Sequence, residues 1–250
     1  MRFIELYNFL DVMIPTSLSC EWDNDGIMCA SDNDKEVRKI LFALDVTSDV
    51  LKYARANSYD TVISHHPFVF NKLDGIKDDF VSKKIVFAIK NGINIMSFHT
   101  RLDAVENGVA DSFAKLFDYD FKKVDKNGIG RVLELNKTYK LEAFCNYVKE
   151  KTKTQAVFYI GNNDVKKIYV CPGDGKDFID DAIICGCDTL VTGRASYNSM
   201  IDAEQKGLNV VECGHYYSEN VVFKSLEKMI KKLDNTIEMK TICSTKIKMI

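Results

Sequence analysis

The chain has 250 residues, 46% hydrophobic and 28% charged, with 34 Lys and Arg against 36 Asp and Glu for a net charge of −2. This length can bury a core as one large α/β domain or two modest ones, and the near-neutral balance removes the electrostatic case for a nucleic-acid partner. The longest apolar runs, such as Ile40 to Leu44, are strand-sized and fall short of the roughly 20 residues that would cross a bilayer, so no membrane partner is expected.

The opening Met1-Arg2-Phe3-Ile4-Glu5 has no signal-peptide pattern, and Cys20, Cys29, Cys145, Cys171, Cys185, Cys187, Cys213 and Cys243 follow no regular framework. Reduced thiols and a cytoplasmic location are the expectation.

In chain order, Lys39 to Leu44 reads as a strand, Ser48 to Asn57 as a helix and Thr61 to Ser64 as a strand. Further strands are expected near 93–97, 131–135, 156–160, 167–171, 188–192 and 208–212, with helices near 78–91, 106–117, 138–151, 176–185, 196–206 and 219–233. Such alternation signals βαβ units and a largely parallel or mixed sheet flanked by helices. In the last helix Val222, Leu226, Met229 and Ile230 recur at the spacing of one buried stripe.

The chain also echoes itself. Lys39-Ile40-Leu41-Phe42-Ala43 matches Lys167-Ile168-Tyr169-Val170-Cys171, and Asp60-Thr61-Val62-Ile63-Ser64 matches Asp188-Thr189-Leu190-Val191-Thr192, both at an offset of 128 residues. Gly92-Ile93-Asn94-Ile95 likewise resembles Gly207-Leu208-Asn209-Val210. Two similar α/β lobes are expected, 1–120 and 121–250, either separate or integrated with the C-terminal part returning to the first, and a ligand crevice between their strand ends. The stretch from Asp118 to Gly130 is the natural connector.

All four histidines fall in three clusters: His65-His66, His99 with Asp103, and His215 with Glu219. The last two share the spacing His-x-x-x-acid. Each acid also has a plain structural reading, Asp103 as an N-cap and Glu219 as a first-turn acid after Ser218 as N-cap, favoured by the helix dipole. Adjacent His65 and His66 would point apart on an extended strand, so they would serve different ions or share one through a twisted backbone.

Together the groups exceed the needs of one four-coordinate ion. Two ions are the economical reading, with Glu219 as candidate bridge. Mixed imidazole and carboxylate donors suit Zn, Fe, Mn or Ni rather than Ca or Mg.

Four further features carry weaker signals. Cys213-Gly214-His215 offers a thiolate and Cys185-Gly186-Cys187 a soft-metal or redox motif, though buried hydrophobic thiols are the more ordinary role. Gly173-Asp174-Gly175-Lys176 precedes a helix whose amides could hold an anion, or is simply a tight turn. Trp22, the one tryptophan, lies in the charged loop Cys20-Glu21-Trp22-Asp23-Asn24-Asp25-Gly26.

Several of these segments resemble the NIF-three-like dinuclear metal-centre family, also labelled GTP cyclohydrolase I type 2. The matching elements are Glu21-Trp22-Asp23-Asn24-x-Gly26, Ala43-Leu44-Asp45-Val46-Thr47, Ser64-His65-His66-Pro67-Phe68-Val69-Phe70, His99-Thr100-x-Leu102-Asp103, Thr192-Gly193 and Gly214-His215-Tyr216-x-Ser218-Glu219. They run across nearly the whole chain.

The resemblance implies two pseudo-repeated α/β lobes, a toroidal homohexamer with inward-facing metal sites, and two divalent ions per chain held by His65, His66, Asp103, His215 and Glu219. It makes His99 a ligand or a partner that orients a carboxylate ligand. The chain matches the short form, without the central inserted domain. Where the family usually carries an acid and then a histidine after Thr192-Gly193, this chain has Arg194 and Asn198; Arg101 stands for the usual Asn and Asp25 for a small apolar residue. These departures are expected to flank the metals and alter substrate preference.

The leading functional expectation is a metal-dependent hydrolase acting on a nucleotide or related heterocycle, of the GTP ring-opening kind. His99 and Glu219 would be the catalytic proton carriers, and Arg194 or Lys176 would meet phosphate. The alternatives are a phosphoester or amide hydrolase using the same activated water, and a non-catalytic metal-binding or metal-trafficking protein.

Overall fold

The computed structural model describes residues 1–124 and 128–247. In chain order its elements are α1 (Phe3–Met13), β1 (Gly26–Cys29), β2 (Lys39–Ala43), α2 (Ser48–Ala56), β3 (Thr61–Ser64), α3 (Phe80–Lys90), β4 (Asn94–Ser97), α4 (Thr100–Ala104) and α5 (Val109–Ala114). Next come β5 (Phe121–Lys123), β6 (Arg131–Tyr139), α6 (Leu141–Thr152), β7 (Phe158–Ile160), β8 (Val165–Asp174), α7 (Ile179–Ile184) and β9 (Thr189–Arg194). The last are α8 (Tyr197–Gln205), β10 (Asn209–Glu212), α9 (His215–Glu219), α10 (Phe223–Leu233) and β11 (Glu238–Thr241).

They form two compact units, one of Met1–Val105 with Phe223–Lys246, the other centred on Glu106–Val222. The first thus ends ahead of residue 120 and takes in the C-terminal α10 and β11.

The first unit holds a five-stranded sheet in the order β1-β4-β3-β2-β11, parallel except for β1. Its central strands β2, β3 and β4 read as nearly continuous apolar runs because helices cover both faces. Leu41, Ala43, Val62 and Ile95 pack with Val50, Leu51, Ala54, Ile85 and Ala88, while on the other face Phe42 stacks on Phe223 of α10 with ring centroids 5.4 Å apart.

In this unit α2 and α3 start at side-chain caps: Thr47 accepts from the Val50 amide at 3.2 Å and Asp79 from Val81 and Ser82 at 2.8 and 2.9 Å. Each such cap contributes about 1 kcal/mol. The pattern reading passed over α1, whose buried Phe3, Leu6 and Leu10 keep helical spacing, and the short edge strands β1 and β11.

The second unit holds a six-stranded sheet, β5-β6-β8-β9-β10-β7, in which β8, β9 and β10 are parallel. Ile168, Val170, Val191 and Val211 face Phe113, Phe117, Phe144 and Val148 on one side, while Tyr169, Cys171, Leu190 and Val210 face Ile179, Ala182 and Ala203 on the other. The expected connector 118–130 contains a strand, β5, paired antiparallel with β6; its Asp125-Lys126-Asn127 lies outside the described residues. Val222, expected within the last helix, sits instead in a single 3-10 turn before α10.

The repeat holds at the level of individual hydrogen bonds. Ile40 pairs with Thr61 as Ile168 pairs with Thr189, residue for residue along both strand pairs. Asp60 accepts from the Arg38 and Lys39 amides and from Thr61 Oγ1; Asp188 accepts from the Lys166 and Lys167 amides and from Thr189 Oγ1. Among the described residues no helix is long and apolar enough to cross a membrane.

Candidate metal centre

In the first unit the ends of β3 and β4 deliver three imidazoles to one place. His65 and His66 lie just past β3 in a bend, outside the strand's alternation, where His66 N donates to Leu44 O at 3.0 Å and Ser64 Oγ to His66 O at 2.9 Å. The bend brings the two ring centroids to 5.0 Å, with His99 at 5.2 and 5.5 Å from them. One ring nitrogen from each of His65, His66 and His99 lies within 4.8 Å of the others. Adjacent histidines would point apart on an extended strand; here they come close because the backbone bends.

Each ring is oriented through its Nδ1: His65 by Phe98 O at 3.0 Å, His66 by Asp45 Oδ1 at 2.8 Å, and His99 by Asp23 Oδ1 at 2.8 Å. A carbonyl or carboxylate oxygen can only accept, so Nδ1 carries the proton and Nε2 becomes the lone-pair nitrogen. This is the arrangement by which proteins ready histidine for a metal. Asp103 joins the cluster with Oδ1 3.5 Å from His65 Nε2. It is buried inside α4, for which His99 is the N-cap, so the N-cap reading of Asp103 is overturned. Asp23 in turn orients His99 through Nδ1.

Asp23 and Asp45 are the residues that pattern reading missed. Burial alone would raise the Asp23 carboxyl, but bonds from His99 and Thr100 outweigh it and hold the group well below the usual carboxylate range. Asp45 also takes a bond from Ser244 Oγ at 3.2 Å. Their sequence signal was an acid just beyond a strand or in a charged loop, which is too common to single out. Lys84 was missed too. It lines a cavity of about 350 Å³ with Asp45, His66, Phe68 and Phe80, and burial lowers its pKa although Asp45 opposes the shift.

In the second unit His215 and Glu219 occupy the first and last positions of α9, with His215 Nε2 2.9 Å from Glu219 Oε2. Glu219 therefore ends its own short helix and does not open the long one, and Gly214, not Ser218, is the cap residue. Ser218 instead donates to His215 O at 2.8 Å and accepts from Gly173 N at 3.0 Å.

The glycines of this unit make room for the pair. A Cβ on Gly173 would fall 2.4 Å from Glu219 Oε1, and one on Gly193 2.4 Å from Ser218 Oγ and 3.0 Å from His215 Cα. Gly173 is the next-to-last residue of β8 and makes room for a carboxylate, and α7, with six residues, begins only at Ile179. The anion-loop reading of Gly173-Asp174-Gly175-Lys176 is thereby replaced.

Two of the four departures turn out to be partners. Arg101 is fully buried; its Nε donates to Asp25 Oδ2 at 2.9 Å and its Nη1 to Asp11 Oδ1 at 2.6 Å and Ile14 O at 2.9 Å. Asp25 Oδ2 also accepts from the His99 amide at 3.0 Å. The guanidinium therefore braces the segment carrying His99 from beneath. Arg194 and Asn198 are exposed.

No disulfide occurs among the described residues and all the cysteines are free. Burial pushes the Cys187 thiol up to about 12 and raises that of Cys213 further, which disfavours the thiolate roles considered above.

These donors fit a borderline divalent ion: imidazoles aligned through Nδ1, carboxylates beside them, and no soft thiolate required. A family model described as Duf34/NIF3 (NGG1p interacting factor 3) matches residues 1–249. A protein of Clostridium perfringens called GTP cyclohydrolase 1 type 2 homolog is 34% identical over 249 residues, 95% of each chain. One of the same name from Clostridium acetobutylicum is 36% identical over 249 residues, 95% of this chain and 91% of that one. The crystal structure of a Staphylococcus aureus hypothetical protein superposes with a TM-score of 0.88 and 26% identity over 100% of this chain and 99% of that one. With the family model spanning nearly every residue, the chain belongs to the DUF34/NIF3 family.

Proposed function

We propose that this protein is a dinuclear metal-dependent hydrolase acting on a nucleotide or related heterocycle, with His65, His66, Asp103, His215 and Glu219 holding two divalent ions (Zn, Fe, Mn or Ni). The observation that carries the reading is the set of three imidazoles whose ring nitrogens lie within 4.8 Å of one another, each held through Nδ1 by an oxygen acceptor.

When bound, two such ions supply Lewis acidity and a water nucleophile ionised near neutral pH. The chain's own residues do the rest. His99, oriented by Asp23, stands with the ligands as a further donor, and with Glu219, seated against Gly173, it is a proposed proton carrier. Lys84, in the cavity beside His66, is suited to hold an anionic part of the substrate. The relatives' name, GTP cyclohydrolase 1 type 2 homolog, makes purine ring opening the first reaction to test.

Metal analysis of protein purified without chelator is expected to find two equivalents per chain, and assays with GTP are expected to release formate. Metal without formate release across Zn, Fe, Mn and Ni would remove GTP as substrate while leaving the centre. Absence of metal would remove both. A cytoplasmic toroidal homohexamer completes the proposal, and light scattering on the eluting protein tests its mass.

A further inference from the structure

Trp22 is the chain's one tryptophan, and it is 61% exposed. Its ring stands edge-on to His99 at 5.9 Å and tilted toward Phe70 at 6.1 Å, and Phe70 is itself 47% exposed. Two large aromatic side chains are thus left to solvent directly beside the histidine cluster, where burial would have been favourable.

The loop that carries Trp22 is anchored on both sides of it. Asp23 accepts from His99 Nδ1 at 2.8 Å, from the Thr100 amide at 2.9 Å and from Thr100 Oγ1 at 2.6 Å. Cys20 N donates to Thr100 Oγ1 at 2.9 Å, and Asn24 Nδ2 to Val69 O at 2.5 Å. The last bond ties the loop to the segment that carries Phe70. The residue that orients His99 is therefore the immediate neighbour of the exposed indole, so the aromatic pair and the candidate metal donor are tied into one hydrogen-bonded network.

We propose that Trp22 and Phe70 form a stacking platform for the planar heterocyclic part of the substrate, an inference that rests on the metal-centre reading above. An indole face offers sequence-tolerant stacking to any π-faced ring, and a pre-anchored loop spares the ordering cost that a mobile one would incur on binding. Contact between the indole and His99 sets such a ring next to the cluster, so stacking would position it for the chemistry. A surface meant for a second copy of the chain would not need its one tryptophan tied through Asp23 to a candidate metal donor.

Because Trp22 is unique, intrinsic fluorescence excited at 295 nm reports on it alone. The experiment titrates the full-length, metal-loaded protein with guanosine and with adenosine, and uses ribose 5-phosphate and inorganic phosphate as ringless controls. Saturable quenching by at least one nucleoside and none by the controls is expected. By equilibrium dialysis, Trp22→Leu should weaken binding of that nucleoside by about 10–100-fold, the usual range for loss of one stacked aromatic, and Trp22→Phe should restore most of it. Metal content and sedimentation should stay as in the parent protein.

No saturable quenching by either nucleoside in fully metal-loaded protein would overturn the inference, as would equal nucleoside affinity in Trp22→Leu. A Trp22→Leu protein of altered mass with unaltered nucleoside binding would assign the indole to an interface between copies instead. Failure of the underlying metal reading is separate, because it appears as missing metal in the parent protein before any nucleoside is added.

Discussion

The two units share one scaffold and use it differently. In each, an aspartate at the start of a central strand, Asp60 or Asp188, collects two amides from the neighbouring strand and the next threonine's hydroxyl. At the matching positions, however, the first unit places His65-His66, just past β3, where the second places Gly193-Arg194, the last two residues of β9. The first unit invests in oriented imidazoles, each with an oxygen acceptor behind it. The second invests in space, with Gly173 and Gly193 leaving room for a single His215–Glu219 pair. Register and core can therefore be duplicated faithfully while the chemistry at the strand ends diverges, because the shared ladder runs through Ile40–Ala43 with Thr61–Ser64 and Ile168–Cys171 with Thr189–Thr192 and sets no residue type beyond it.

The sharpest way to break this comparison is to remove donors from each unit in turn. His65→Ala and His66→Ala should abolish stoichiometric metal, and under the proposed ligand set His215→Ala and Glu219→Ala should do so as well, as read by metal analysis of folded protein. Full metal in both second-unit variants would confine the centre to the first.

Among the described residues each unit also buries an arginine against carboxylates, Arg101 with Asp11 and Asp25, and Arg131 with Asp111 at 2.6 Å. Removing one partner of such a pair costs about 3–5 kcal/mol, so Arg101→Met and Arg131→Met should lose similar stability in denaturant titrations. Only Arg101→Met should also weaken metal binding, since Asp25 holds the His99 amide. Equal metal affinity in the two variants would count against that bracing role.

Gly173→Ala combines a left-handed backbone, φ +65°, with overlap on Glu219. It should cost about 1–3 kcal/mol from backbone strain alone and lower metal content by displacing the carboxylate; a crystal structure with Glu219 unmoved would contradict the seating argument. Asp45→Asn and Asp23→Asn should weaken metal binding about 10–100-fold by loosening His66 and His99, measured by competition with a chromophoric chelator. The smallest effect belongs to Cys187→Ala, which should leave metal content unchanged. With the Cys187 thiol at about 12 and that side chain buried, a thiol reagent at pH 8 should reach exposed Cys243 well ahead of it.

Much of the fold was legible along the chain. The parallel strands announced themselves as apolar runs because both faces of each sheet are covered, and the repeat was visible because the same aspartate, threonine and glycine recur around those runs. Phe3, Leu6 and Leu10 of α1 carried a signal that strand-centred reading passed over, and β11 was invisible because its edge position leaves Glu238, Lys240 and Thr241 exposed.

Of the site, the sequence by itself determined the donor types and their grouping, since His, Asp and Glu at fixed short spacings stay near one another in any fold. Tertiary structure decided the rest. It turned His65 and His66 to the same side by ending the strand at Ser64, set Asp23 behind His99 and Asp45 behind His66 across long stretches of chain, and paired Arg101 with Asp25. Those relations depend on which strand ends and loops meet in space, and local spacing carries no record of that.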